Sequence, residues 1–252
     1  MKRILHITIA ILLVFSFTKI AFADGHVYGP YPITLKGYSG DKTNSVKYTG
    51  QMARHILHDS LKALVKTGDV NKMMAYYNGE DGLEIVAPKS KDSFTIKQTM
   101  VSEVGSGNLS GKTYKGAVAG WGNLTGPEVL EHMMTKAGEV EGSFDPNTGF
   151  DYTQLISKFA MGAVFYNQAV NNYLGKKMEI GEKPNSKPYK DGAYYTGKEH
   201  SWDEAFGYWG SAAHALTLSA EQNYNVAKKK DMASADYNGD GVVDLYSEYT
   251  FA

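Results

Sequence analysis

The chain has 252 residues, 26 Lys and Arg against 27 Asp and Glu, a formal charge of −1 at pH 7, and no cysteine. That balance gives no electrostatic reason to hold nucleic acid or anionic lipid. The missing thiol excludes disulfides, thiol catalysis and lipid attachment through a cysteine, so burial or a bound ion must stabilise the fold.

Residues 1–23 read as a secretory signal peptide. Lys2 and Arg3 form its positive end, Ile7 to Phe17 its apolar run, and Ala21-Phe22-Ala23 its cleavage site. The run is shorter than the roughly 20 residues of a membrane span, and no later stretch is apolar enough for one. Lys2, Arg3 and Lys19 are the only charges in the segment, so its removal takes the chain to −4. The expected location is exported, periplasmic or at the cell surface, with no membrane span after cleavage.

Residues 24–44 are rich in Gly, Pro and Tyr without periodicity, an extended leader. A helical domain is expected over 45–252. Ser45 is a candidate cap for a first helix in which Met52, Ile56, Leu61 and Leu64 recur near a period of 3.6 until Gly68. A shorter helix runs from Asp69 to Asn78-Gly79. Residues 83–101 alternate weakly and suggest a small hairpin with Pro88 at an edge. Seven glycines between 105 and 126 mark a long loop. Thr125, Pro127 and Glu128 open a helix that Gly138 closes. The strongest helix lies between the cap Asp151 and the stop Gly175. It is apolar on more than one face between Phe159 and Val170, which predicts a central helix packed from several sides. A Lys-rich connection, 175–199, leads to the last clear helix, beginning near Ser201. The fold class expected is mostly α, with long loops.

The stretch Gly105 to Thr113 tempts a phosphate-loop reading, but the slot that requires glycine holds Ser106, and no apolar strand leads into it. No HExxH occurs and no serine stands in a GxSxG elbow. In His200 to Gly210, Trp202, Phe206 and Trp209 form one apolar stripe, while Asp203, Gly207 and Gly210 fall on another face. Two glycines there imply close backbone approach by a neighbouring helix or by a ligand. His200 and Glu204, at i and i+4, are candidate transition-metal ligands, with Asp203 beside them. His55 and His58, with Asp59, share a face of the first helix and are the same kind of candidate for zinc, iron or copper. Ordinary titrating histidines on a solvated face give the same pattern. Glu128 and His132 are a weaker pair. The Tyr-rich stretch 192–202 is a further candidate, for carbohydrate or peptide.

Asp236 to Glu248 is spaced as a calcium loop. With Asp236 as position 1, Asn238 is 3, Asp240 is 5, Gly241 is 6, Val242 is 7 and Asp244 is 9. Those are oxygen donors where an EF-hand-type loop wants them, with glycine at the sharp turn and a carbonyl from Val242. Position 12, where a bidentate Glu belongs, is Ser247, and Glu248 comes one residue late. A distorted turn could still bring Glu248 in. The competing reading is an acidic surface turn.

Tyr48-Thr49-Gly50-Gln51 with Arg54, Met161-Gly162-Ala163 with Tyr166 and Gln168, His200 with Trp202 to Gly207, and Asp240-Gly241 with Asp244 to Glu248 together resemble an uncharacterised family. It is a domain of unknown function in exported bacterial proteins, distantly imelysin-like. The resemblance implies an all-α, imelysin-like bundle with long loops and an envelope location, and it carries no established activity. It also implies that the C-terminus is shortened and that some apolar surface is left exposed. The imelysin G-x-H-x-x-E pattern is not matched, since Gly210 and His214 are four apart and position 217 is Thr.

Two readings follow. The first is a non-catalytic binding or structural protein whose calcium loop is formed by Asp236, Asn238, Asp240, Val242, Asp244 and Glu248, with an unknown small ligand or an envelope protein as partner. The second is an imelysin-like iron or zinc protein, or a metal-dependent enzyme, using His55, His58, His200 and Glu204.

Overall fold

The computed structural model describes residues 33–42, 44–91, 94–179 and 181–251. The signal segment and residues 24–32 and 43 of the leader lie outside the described residues. The fold is mostly α, as expected. Helix α1 spans Thr49–Val65, α2 Val70–Asn78, α3 Gly126–Glu139, α4 Tyr152–Ala160, α5 Gly197–Trp209 and α6 Ala220–Ala227. Helix α4 runs on without a break into a π-helical segment, Met161–Gly175.

Helix α1 is the hub. Met52, Ala53, Ile56, Leu57, Leu61, Leu64 and Val65 are all buried, and the helix packs against α2, α3, α4 and α5. Its start differs from the expectation: the cap residue is Tyr48 rather than Ser45, and no side-chain bond closes it. The other caps follow from the sequence. Asp69 accepts from the Lys72 amide at 3.0 Å, and Gly79 ends α2 at φ +61. Thr125 and Glu128 form a reciprocal capping box. Asp151 accepts from the Gln154 amide at 3.2 Å.

Three expectations need correction. Helix α5 begins at Gly197, capped by Thr196 and Glu199, and not near Ser201. It is not the last helix either, because Ser219 and Gln222 box the start of α6. The central helix divides into an α half and a π half, and only one side of the latter is covered. Val164, Phe165, Ala169 and Tyr173 are buried, whereas Met161, Tyr166, Val170 and Leu174 are exposed.

The strands are short. Strand β1 (Thr95–Ile96) pairs in parallel with β4 (Val242–Val243), and β2 (Phe144–Asp145) pairs antiparallel with β3 (Phe150–Asp151). The hairpin expected over 83–101 is reduced to an antiparallel bridge between Glu84 and Met100. The outer part of that stretch instead joins the C-terminal segment, so β1 ties the acidic loop to the body.

Candidate functional site

The acidic loop closes on itself. Asp236 accepts backbone N–H bonds from Gly239 (2.7 Å), Asp240 (3.1 Å) and Gly241 (3.0 Å). Asn238 accepts from the Asp240 amide and Asp240 from the Val242 amide, at 2.8 and 3.0 Å. Gly239 and Gly241 take the left-handed conformation, at φ +73 and +85, that the turn requires. Glu248, one residue late in the sequence, reaches back to the loop entrance, where Oε1 accepts from the Tyr237 and Asn238 amides at 3.1 and 3.2 Å. Its Oε2 accepts from the Asp244 amide at 2.8 Å. Burial pushes the Glu248 carboxyl up, the N–H bonds counter this, and the negative charges of Asp244 and Asp236 push it up further.

Asp244 faces the body. Gln98 donates to its Oδ1 at 2.8 Å, Lys97 to its Oδ2 at 3.1 Å, and the Tyr246 amide to Oδ1 at 2.9 Å. Burial raises the Asp244 carboxyl, but the Gln98 and Tyr246 bonds and the Lys97 ammonium together hold it below the usual carboxylate range. Lys97 and Gln98 lie almost 150 residues from the loop in sequence, and spacing within the loop carries no sign of them.

The α1 histidines are buried and occupied. The His55 ring stacks between Phe165 and Phe251, with centroids 4.3 and 5.1 Å away, and Nε2 donates to the Gly207 carbonyl at 3.0 Å. Burial, helped by the charge of His58, drives its pKa down to about 4, so it is neutral at pH 7. His58 Nε2 donates to the Ser157 carbonyl at 3.2 Å, and its Nδ1 lies 3.4 Å from Asp59 Oδ1. Neither imidazole stands on a solvated face.

His200 is set between two carboxylates, with Nδ1 3.4 Å from Asp203 Oδ1 and Nε2 3.7 Å from Glu204 Oε2. Its ring lies against Tyr189 and Tyr195, at 4.5 and 5.2 Å. Tyr195, from the Tyr-rich stretch, is thus buried against the histidine. Asp203 is almost fully buried and accepts from the Lys47 amide at 2.7 Å. Burial pushes its pKa up to about 7 against the opposing pull of His200. Glu204 Oε1 accepts from Gln51 Nε2 at 3.1 Å.

The α5 glycine face is a helix crossing. A Cβ on Gly207 would come within 2.6 Å of Tyr48 Cβ and 2.9 Å of Gln51 Cβ, and one on Gly210 within 2.7 Å of the His55 ring. The tryptophan stripe points the other way: Trp202 is 49% and Trp209 65% exposed. His55 meets α5 at Gly207, seven residues beyond His200 and so about 10 Å along the helix axis. The four histidine-site residues therefore form two groups. Among the described residues, no three His, Asp or Glu side chains converge in a group set to hold a metal ion. Glu128 is taken up in the α3 capping box, and His132 packs edge-on to Trp121.

Residues 130–240 match the family model of a domain of unknown function, DUF4856. Over this stretch, 111 of the 252 residues, the chain is similar to a family of unknown function. The matched stretch runs from within α3 through the π segment, α5 and α6 to Asp240, leaving α1 outside. No curated protein and no solved structure matches the chain significantly. No helix among the described residues is long and apolar enough to cross a membrane.

Proposed function

We propose that this is an exported, helical binding or structural protein whose C-terminal loop is organised by calcium. The observation that carries the reading is the closure of 236–248. Asp236 and Glu248 sit at its two ends, and Glu248 returns to the entrance amides although it is displaced by one position. Burial, and after it the charges of Asp244 and Asp236, disfavour the ionised Glu248 carboxylate, and a divalent cation would favour it. The candidate donors are all oxygen, the Asp236, Asn238, Asp240 and Glu248 side chains and the Val242 carbonyl, with Asp244 held by Lys97 and Gln98; their carboxylates do not converge among the described residues, so the ion would have to draw them together. Such a set suits a hard cation rather than zinc or iron. Export rests on the signal-like residues 1–23.

A second reading, an imelysin-like protein for iron or zinc, draws support from His200 alone, whose two nitrogens each approach a carboxylate. The test is a calorimetric titration of the chain with calcium, zinc and ferrous iron in parallel, repeated on Asp240→Ala. Calcium binding that the substitution abolishes supports the first reading. Zinc or iron binding that survives Asp240→Ala and disappears in His200→Ala overturns it in favour of the second.

A further inference from the structure

A second polar cluster lies where α1, the 105–112 loop, the π segment and α5 meet, and neither metal reading uses it. Arg54 donates through Nε to the Asn108 carbonyl and through Nη1 to the Gly50 carbonyl, both at 2.9 Å. Room for the guanidinium comes from Gly107, where a Cβ would stand 3.0 Å from Arg54 Cζ. The same guanidinium lies 5.8 Å from the centre of the Tyr208 ring. Tyr208 in turn packs on Tyr173 at 5.6 Å, and Lys177 Nζ sits 3.8 Å over the Tyr173 ring. Lys112 is near enough for its charge to act on that of Arg54 and of Lys177. Gln168 of the π segment donates to the Lys112 carbonyl at 2.8 Å and Asn172 donates to Gln168 at 2.8 Å, fixing the loop to the helix.

The charges do not balance. Arg54, Lys112 and Lys177 form no ion pair with a carboxylate among the described residues. Burial lowers both lysines, and the carboxylate whose field reaches both is Glu204. Glu204 already accepts from Gln51, approaches His200, and has the Tyr173 hydroxyl within its field. The Tyr208 hydroxyl, on a side chain only 2% exposed, has no hydrogen-bond partner among the described residues, although it lies in the field of both Arg54 and Glu204. A buried hydroxyl left unpaired is destabilising unless a ligand or water completes it. Arg54 beside the Tyr208 ring and Lys177 over the adjoining Tyr173 ring, with one engaged carboxylate near them, present positive charge that suits a negative group. The long π segment adds a geometric reason, because π-helical turns concentrate at functional sites.

We propose that this cluster binds a small molecule bearing an oxyanion, a carboxylate or phosphate, held by Arg54, Lys112 and Lys177, with the Tyr208 hydroxyl donating to it. The inference names a ligand class for the binding protein proposed above and does not depend on the acidic loop. A chain that responds to calcium and to no oxyanion therefore sinks this inference alone.

The experiment is calorimetric titration of the chain with inorganic phosphate and with succinate at constant ionic strength, on the unaltered chain, Lys177→Gln and Tyr208→Phe. Binding of at least one probe is expected, weakened about tenfold by Lys177→Gln through loss of a charge-assisted contact. Tyr208→Phe weakens it too, without lowering the melting temperature of the unliganded chain. Phosphate binding alone identifies a phosphate-bearing ligand, succinate binding alone a carboxylate. If neither probe binds, or both substitutions leave binding unchanged, the site is not there. A lower unliganded melting temperature for Tyr208→Phe also overturns the proposal, since it means that the hydroxyl is satisfied within the protein.

Discussion

The acidic loop and the α1–α5 junction are both dense in polar groups, but they are assembled in opposite ways. In the loop, Asp236, Asn238, Asp240 and Glu248 bond to amides within twelve residues of one another. At the junction, Gln51 meets Glu204, His55 meets Gly207 and Lys47 meets Asp203, each across more than 150 residues. The first is a local structure attached to the body by β1; the second exists only if two helices cross at a glycine. The loop is therefore expected to respond to ions and leave the core intact, and the junction to respond to packing and pH.

The largest effect tests the crossing itself. Gly207→Val places a branched side chain where even a Cβ comes within 2.6 Å of Tyr48, and overpacking of this kind is expected to cost about 3 kcal/mol in denaturant unfolding. A cost within error of zero would mean that α1 and α5 do not touch there.

Next in size is the pH response. His55 is held neutral, with its pKa down at about 4 against 6.5 for the free imidazole. A base with a depressed folded pKa contributes stability that is complete above pH 6.5 and lost as the pH falls towards 4, about 3 kcal/mol in all. Unfolding curves between these limits should show this slope, and His55→Phe, which keeps the stacking with Phe165 and Phe251, should remove that part of it.

Asp236→Ala comes third. It strips the acceptor from three loop amides and should lower stability by about 2 kcal/mol while leaving the pH slope of His55 as it was. If that slope changes as well, the two regions are coupled and the comparison fails. Smallest is Trp209→Ala: the side chain is 65% exposed, so a change within about 0.5 kcal/mol is expected.

This contrast also explains what could be read from the chain. Asp69, Thr125, Asp151 and the glycine at 79 marked helix ends because capping is decided within four residues. The acidic spacing from Asp236 was visible for the same reason, and so was the glycine face of α5. The tryptophan stripe illustrates the opposite case: its spacing is that of a buried face, yet Trp202 and Trp209 point outwards, since Gly207 and Gly210 win the contact with α1 by allowing closer approach. The π half of the central helix was hidden too, because apolar residues at Met161, Tyr166 and Val170 look like core whichever helical pitch carries them. Lys97 and Gln98 at Asp244, and Arg54, Lys112, Lys177 and Tyr208 as one cluster, depend on tertiary pairing that no window of sequence contains.

The loop as a calcium site is tested most directly by the melting temperature of the chain in calcium against a chelator, measured beside Asp236→Ala. Calcium is predicted to raise the melting temperature of the unaltered chain and to leave Asp236→Ala unmoved. Equal melting temperatures with calcium and with chelator, or a calcium shift that persists in Asp236→Ala, would contradict the assignment of the loop as a calcium site.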